Sequence, residues 1–463
     1  MRKLFVLLAL FLAGATAFSQ KEDSTFIKRI SDEILVNGKA YENLRHLTKQ
    51  IGGRLAGSAG MVKAEAWGLK TMQESGADQA WLQECMVPHW VRGGTDQAKA
   101  KYGVGNKQSK VLDVVALGNS TGTGKNGKEA QVVMVNSFEE LEKVKDNIKG
   151  KIVFYNYKFN DTYVNTFLAY RDAGQYRGQG PSRAAKYGAI AVIVRSLSHA
   201  TDNNPHTGAT RYDSSYEKIP AVAIGLRDAD WLHDAIETQK RALTSPMRIF
   251  IKTNGSFLPD TIGHNVIGEI KGSEFPDEII TVGGHLDSWD NCEGAHDDGA
   301  GCVQTIEILR AFKAIGYKPK RTIRFVLFAN EENGLRGGTK YADEAKAKNE
   351  KHILAIESDA GGFTPRALGF TGTDEQYQKF MSWKELIAPY GCTEFNKGGG
   401  GADIGALNRL LKTAMASLNP DTQRYFDIHH SRSDVFEAVN KRELELGAVN
   451  MAALIYLADK YGL

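Results

Sequence analysis

At 463 residues the chain is long enough for two or three domains and at least one large buried core. Hydrophobic residues make up 42% and charged residues 24%, the composition of an ordinary globular protein, and a formal net charge of +3 leaves no electrostatic footprint for nucleic acid or an anionic membrane surface. Any partner must therefore be argued from a site.

Arg2 and Lys3 precede an apolar run, Leu4 to Ala13, followed by Ala15-Thr16-Ala17. A basic start, a short apolar core and a small-x-small site predict a signal peptide over residues 1–20, cleaved near 17–20, and hence a secreted or periplasmic protein. The run is too short to span a bilayer, and no other stretch approaches that length. In an oxidising compartment Cys85, Cys292, Cys302 and Cys392 can pair in three ways. Plain packing is the expectation for all four, with a Cys292–Cys302 disulfide as the alternative.

Residues 21–105 read as helix and loop pieces of a larger core. Phe26, Ile30 and Ile34, then Leu44, Leu47 and Ile51, have helical spacing that a turn at 52–57 ends, and a second helical run covers about 60–75. Over 106–254 the texture changes to short apolar runs (111–117, 130–135, 151–155, 189–194, 219–224) between Gly, Asn, Asp and Ser, with one helical stretch near 182–188. That pattern predicts a separate, inserted β-rich domain. Its histidines, His199, His206 and His233, have no ligand spacing and are expected in surface or structural roles.

Residues 255–463 alternate strand and helix, which predicts an α/β fold with a mixed, mostly parallel sheet flanked by helices. Ile279–Val282 and Ile323–Phe328 are continuous apolar runs of the kind buried on both faces, and Cys302, Ile306, Leu309 and Phe312 repeat at helical spacing between them. Strands are expected at 353–356, 368–370 and 413–416, and helices near 375–387 and 442–461. Ligands of such sheets gather beyond the carboxyl ends of the strands.

Five metal-binding side chains stand at such positions: His285, Asp297, Glu332, Asp359 and His430. Two imidazoles and three carboxylates suit a pair of Zn²⁺ ions, because a shared carboxylate can bridge two metals. Asp287, two residues after His285, can accept the imidazole's other N–H, and Asp298 can cap the helix that follows. Of the pair Glu331-Glu332, one carboxylate can bind metal while the other takes a proton from the attacking water. The run Gly398-Gly399-Gly400-Gly401-Ala402-Asp403 reads either as a mobile loop bringing Asp403 to a substrate amine or as a plain connector.

Together these segments resemble the co-catalytic, dinuclear zinc exopeptidases of the aminopeptidase type, which keep a His-x-Asp, an Asp before small residues, a Glu-Glu pair, an Asp, and a His near a Ser and an Asp. The likeness extends over nearly all of the mature chain, with Pro88-His89-Trp90-Val91-Arg92-Gly93 and Pro319-Lys320-Arg321-Thr322 among its supports. It implies two zinc ions, one on His285 and Asp359 and the other on Glu332 and His430, with Asp297 bridging. It further implies Glu331 as general base, Asp287 as the supporting carboxylate, a cis Asp297–Asp298 bond, a protease-associated character for the insert, short peptide substrates and a homodimer. Where many relatives place Tyr before the last ligand this chain has His429, a candidate donor to the developing oxyanion. The rivals are a non-catalytic receptor on this scaffold and a single-zinc acyltransferase.

Overall fold

The computed structural model describes residues 21–463, so the expected signal peptide lies outside the described residues. The described residues build two eight-stranded sheets. In the first, Arg321–Phe328, Phe275–His285, Lys351–Glu357 and Ala414–Pro420 lie side by side in parallel. Antiparallel strands flank them: Ser256–Ile270 and then Gln79–Val91 on one side, and Pro365–Thr371 on the other, where Glu394–Lys397 completes the edge. The sheet is mixed around a parallel centre, as expected.

The continuous apolar runs are explained by cover on both faces. Phe325 and Leu327 pack with Ile306, Leu309 and Phe312 of the Ala300–Ala314 helix and with the Lys441–Tyr461 helix. Val326 and Phe328, alternating with them, face Tyr341, Ala342 and Leu407 on the opposite layer. Successive side chains of a strand point to opposite faces, so both faces of the Phe325–Phe328 end are apolar.

The second sheet is built from residues 97–252, and its first strand, Gln97–Tyr102, precedes the boundary expected at 106. It too has a parallel centre, Lys128–Val135, Ile152–Tyr155, Ala191–Arg195 and Ala221–Ile224, with antiparallel strands outside. The expectation of a β-rich unit with one helical stretch needs correction, because this unit is α/β. Its helices include Phe138–Lys143, Thr166–Gly178, Gly180–Ala185 and Leu226–Arg241. Thr166–Gly178 buries small residues such as Ala169 and Ala173, and Leu226–Arg241 buries a narrow stripe through Ala229, Leu232 and Ile236 in otherwise charged sequence. Both stripes are too thin to stand out from a loop. The Gln79–Val91 strand also escaped the sequence reading, since it is half exposed, contains Pro88 and carries an irregularity between Val87 and His89.

The four cysteines are free thiols, so the packing expectation holds and the disulfide alternative does not. Among the described residues no helix is long and apolar enough to cross a membrane. The two sheet units meet tightly. Trp289, fully buried, lies over Gly118 so closely that a Cβ at position 118 would sit 1.8 Å from the ring, and its other side meets the His430 ring edge-on at 5.7 Å. Arg92, held by Asp290 at 2.6 and 2.8 Å, reaches across to donate to the Ala116 carbonyl of the second unit at 2.7 Å.

Candidate active site

The site forms where the parallel strands of the first sheet end. His285 is the last residue of its strand, Glu331 and Glu332 follow Arg321–Phe328, and Asp359 follows Lys351–Glu357. Asp297 comes from the turn before the Ala300–Ala314 helix, and His429 and His430 from the turn after Tyr425–Ile428. The five expected ligands converge. His285 Nε2 lies 3.3 Å from Asp297 Oδ1 and 3.4 Å from Asp359 Oδ1. His430 Nε2 lies 3.1 Å from Asp297 Oδ2 and 3.0 Å from Glu332 Oε2. Asp297 thus faces His285 with one oxygen and His430 with the other.

Main-chain contacts hold this geometry. The Asp297–Asp298 peptide is cis. Asp434 accepts from the N–H groups of His296 and Asp297 at 2.8 and 3.1 Å. Asp298 accepts from Gly301 N at 2.9 Å, the capping contact expected of it, and its other oxygen accepts from His285 N at 3.0 Å. That second contact requires Gly284, where a Cβ would come within 2.2 Å of Asp298 Oδ2. Buried Arg54 donates to the carbonyls of Leu286, Glu293 and Gly294, bracing the loop between two ligands.

Asp287 acts differently from the expectation. His285 Nδ1 donates to the Asp287 backbone carbonyl at 2.9 Å, while the Asp287 carboxylate oxygen stands 3.8 Å away. A carbonyl only accepts, so the main chain fixes the ring and turns Nε2 toward the carboxylates. The Asp287 carboxylate instead accepts from Glu331 N and Glu332 N at 3.0 and 3.3 Å, setting the direction of both acids.

Asp403 also departs from expectation. It is 1% exposed, it is absent from the cavity lining, and the segment before it is anchored by Asp403 N and Ile404 N donating to Glu357. A packed turn stands here, as the connector reading has it, and the carboxylate does not line the cavity. Burial, with Glu357 and Glu331 nearby, pushes its pKa well up. In contrast His429 does line the cavity, stacked on His430 with ring centres 3.6 Å apart and Nε2 3.4 Å from Asp297 Oδ2.

The charges are finely opposed. Burial would raise Asp297, but the surrounding imidazoles, His429, His285 and His430, hold it well below the usual carboxylate range. Burial likewise opposes a charged His430, yet Glu332, Tyr170 and Asp297 outweigh it and lift the imidazole well above its ordinary value. Glu331 moves well up, through burial and then the nearby carboxylates Asp359, Glu332 and Asp287 against the pull of His285, and Glu332 rises to about 7, chiefly by burial. Asp297 Oδ2 and Glu332 Oε1 are buried without a hydrogen-bond partner among the described residues. Buried polar atoms are rarely left so, and oxygens aimed beside imidazole nitrogens fit a divalent cation.

The cavity over these groups holds about 560 Å³ and has a wall the sequence reading missed. Residues 97–252 contribute Asn119, Tyr170, Arg177 and Arg211 to it. Asn333 beside Glu332 donates to Asn119 Oδ1 at 3.2 Å, and buried His206 donates from Nδ1 to the His429 carbonyl at 2.6 Å. Burial lowers the His206 pKa to about 4, consistent with a structural role. No local signal marks these residues, because their roles arise only when two distant segments meet.

Residues 265–455 match the family model described as Peptidase family M28. Carboxypeptidase Q of Mus musculus is 31% identical over 99% of this chain and 98% of its own length, and that of Homo sapiens is 34% identical over 92% and 87%. The crystal structure of a peptidase M28 precursor from Shewanella amazonensis SB2B superposes with a TM-score of 0.88 at 31% identity, covering 95% of this chain and 97% of the other. With likeness of this extent in both sequence and fold, the chain belongs to peptidase family M28 and is a metallo-exopeptidase.

Proposed function

We propose that this chain is a secreted dinuclear zinc exopeptidase that hydrolyses dipeptides and short peptides with free ends. The observation that carries the reading is the position of Asp297, one oxygen toward His285 with Asp359 and the other toward His430 with Glu332. Two half-sites sharing one carboxylate match a pair of zinc ions, with His285 and Asp359 on one, Glu332 and His430 on the other, and Asp297 between. When bound, such ions stabilise charge on the scissile carbonyl and make water a nucleophile near neutral pH.

The chain's own residues supply the rest. Glu331 stands on the cavity lining beside both half-sites and serves as general base, taking a proton from the attacking water and passing it to the leaving amine. The Asp287 carboxylate orients it through the main chain. His429, anchored at its carbonyl by His206, offers its ring to the developing oxyanion. Replacing His429 by Ala is expected to lower kcat by about 10²-fold, in the range for loss of one oxyanion donor. Unchanged turnover in that variant would reduce His429 to a stacking neighbour of His430. Secretion is supported by the composition of residues 1–17.

The reading is tested by reconstituting chelated protein with zinc and following hydrolysis of a dipeptide panel with free and blocked ends. Activity should return only as the metal reaches two ions per chain. Full activity with one ion, or binding of peptides without cleavage, overturns it.

A further inference from the structure

The proposed metal ligands form the floor of the cavity, and the segment carrying Glu331 and Glu332 is tied to the second-sheet unit by a line of three carboxamides. Asn330 and Asn333, both buried, bracket the two acids in sequence, and Asn330 Nδ2 donates to Asn333 Oδ1 at 2.5 Å. Asn333 Nδ2 donates in turn to Asn119 Oδ1 at 3.2 Å. The line has a direction. Arg336 N–H, which can only donate, meets Asn330 Oδ1 at 3.4 Å, so Asn330 turns its amide nitrogen to Asn333, and Asn333 turns its own to Asn119. Asn119 is therefore the acceptor of this contact.

The two ends of the line differ in rigidity. Asn330 at φ 63° and Leu335 at φ 57° are both left-handed, an unfavourable backbone for a side chain and above all for leucine, so the 330–335 segment depends on contacts that hold it. Its own closure is Leu335 N–H on Asn330 O at 2.5 Å. Asn119 instead stands at the corner of a turn closed by Ser120 N–H on Leu117 O at 3.1 Å. Trp90 Nε1 donates to Ser120 O at 2.9 Å, and Trp289 packs on Gly118. A fixed point in one unit thus meets a strained loop in the other.

Resting on the reading of Glu331 as base and Glu332 as ligand, we propose that Asn119 is a positioning residue whose side-chain oxygen, acting through Asn333, holds Glu331-Glu332 in register with the two half-sites. The pair of acids is then complete only while the second-sheet unit is docked on the first. Asn119 does this without touching substrate, so its effect falls on turnover and not on binding.

Asn119→Gly removes the side chain without backbone strain, because position 119 has φ 63°, a conformation glycine adopts freely. At saturating zinc on a dipeptide it should lower kcat by about 10-fold with KM little changed, the size expected for losing an outer partner of a metal site. Asn119→Asp keeps the acceptor and should restore most of the rate. Asn333→Asp adds the same charge but loses the donor, so it should fall as far as Asn119→Gly. The double variant Asn119→Gly/Asn333→Asp should be no slower than either single one. In zinc-free protein, hydrogen exchange of the 330–335 amides should quicken in Asn119→Gly and stay at the wild-type rate in Asn119→Asp. Unchanged kcat in Asn119→Gly, a loss confined to KM, equal losses in the Gly and Asp variants of Asn119, multiplied losses in the double variant, or unchanged exchange at 330–335 overturns the assignment while leaving the exopeptidase intact. A wild type inactive on dipeptides removes the exopeptidase reading and this one with it.

Discussion

Replacing Glu331 by Gln is expected to lower kcat by about 10³-fold while the zinc content of the purified enzyme stays at its wild-type level. The argument rests on geometry. Glu331 lines the cavity next to Glu332 but is not one of the groups within ion-pair distance of His285 or His430, so its replacement breaks no ion pair of either imidazole. Its orientation is set by its own N–H on Asp287, a contact the amide retains. Glutamine keeps the size and loses only the capacity to take a proton. Burial and neighbouring acids push the Glu331 carboxyl well above the usual carboxylate range, and a positive charge nearby would draw it back down. Steady-state rates on a dipeptide, paired with atomic-emission measurement of zinc, check the prediction. A variant with near-normal turnover would remove Glu331 from the mechanism.

The second large effect is expected from Asp297→Asn. The substitution is isosteric but replaces one of the two oxygens by an amide nitrogen, which cannot serve as a ligand, and it removes the charge that both half-sites share. Zinc content should fall to one ion per chain or fewer, and turnover should drop by more than the roughly 10–100-fold typical of losing a supporting hydrogen bond around a metal. Metal-free protein is affected as well. Asp297 is the common partner of His285, His429 and His430, so without it these buried imidazoles lose a compensating charge and their pKa values fall. Zinc titration calorimetry of the variant against wild type separates the two half-sites. Retention of two ions with unchanged affinity would show that Asp297 does not bridge.

The proposed metal ligands stood out in sequence as candidates because each is encoded locally. Phe325–Phe328 is a strand that runs into two acids, and Ile353–Ile356 runs within three residues into Asp359; the apolar run fixes the strand, and the strand fixes the end at which the carboxylate appears. The parallel centre of the first sheet followed from the same runs. What could not be read were features that depend on segments meeting. Asp403 follows a glycine run that looks like a free loop, and only the folded chain shows Glu357 binding its main chain. Arg177 and Arg211 are unremarkable polar residues until residues 97–252 fold over the floor. The role expected for the Asp287 carboxylate failed for a related reason, since a backbone carbonyl in the same residue reached His285 first.

Trp289 gives the junction of the two sheet units a further meaning. One indole rests on Gly118 in one unit and against the His430 ring in the other, so the seat of a proposed metal ligand depends on a position with no side chain of its own. Transplanting residues 97–252 from a relative would carry a functional wall only where the donor also offers bare backbone at that point. Wherever this indole is kept, the two halves of such an enzyme must be inherited as a matched pair and cannot be traded as interchangeable parts.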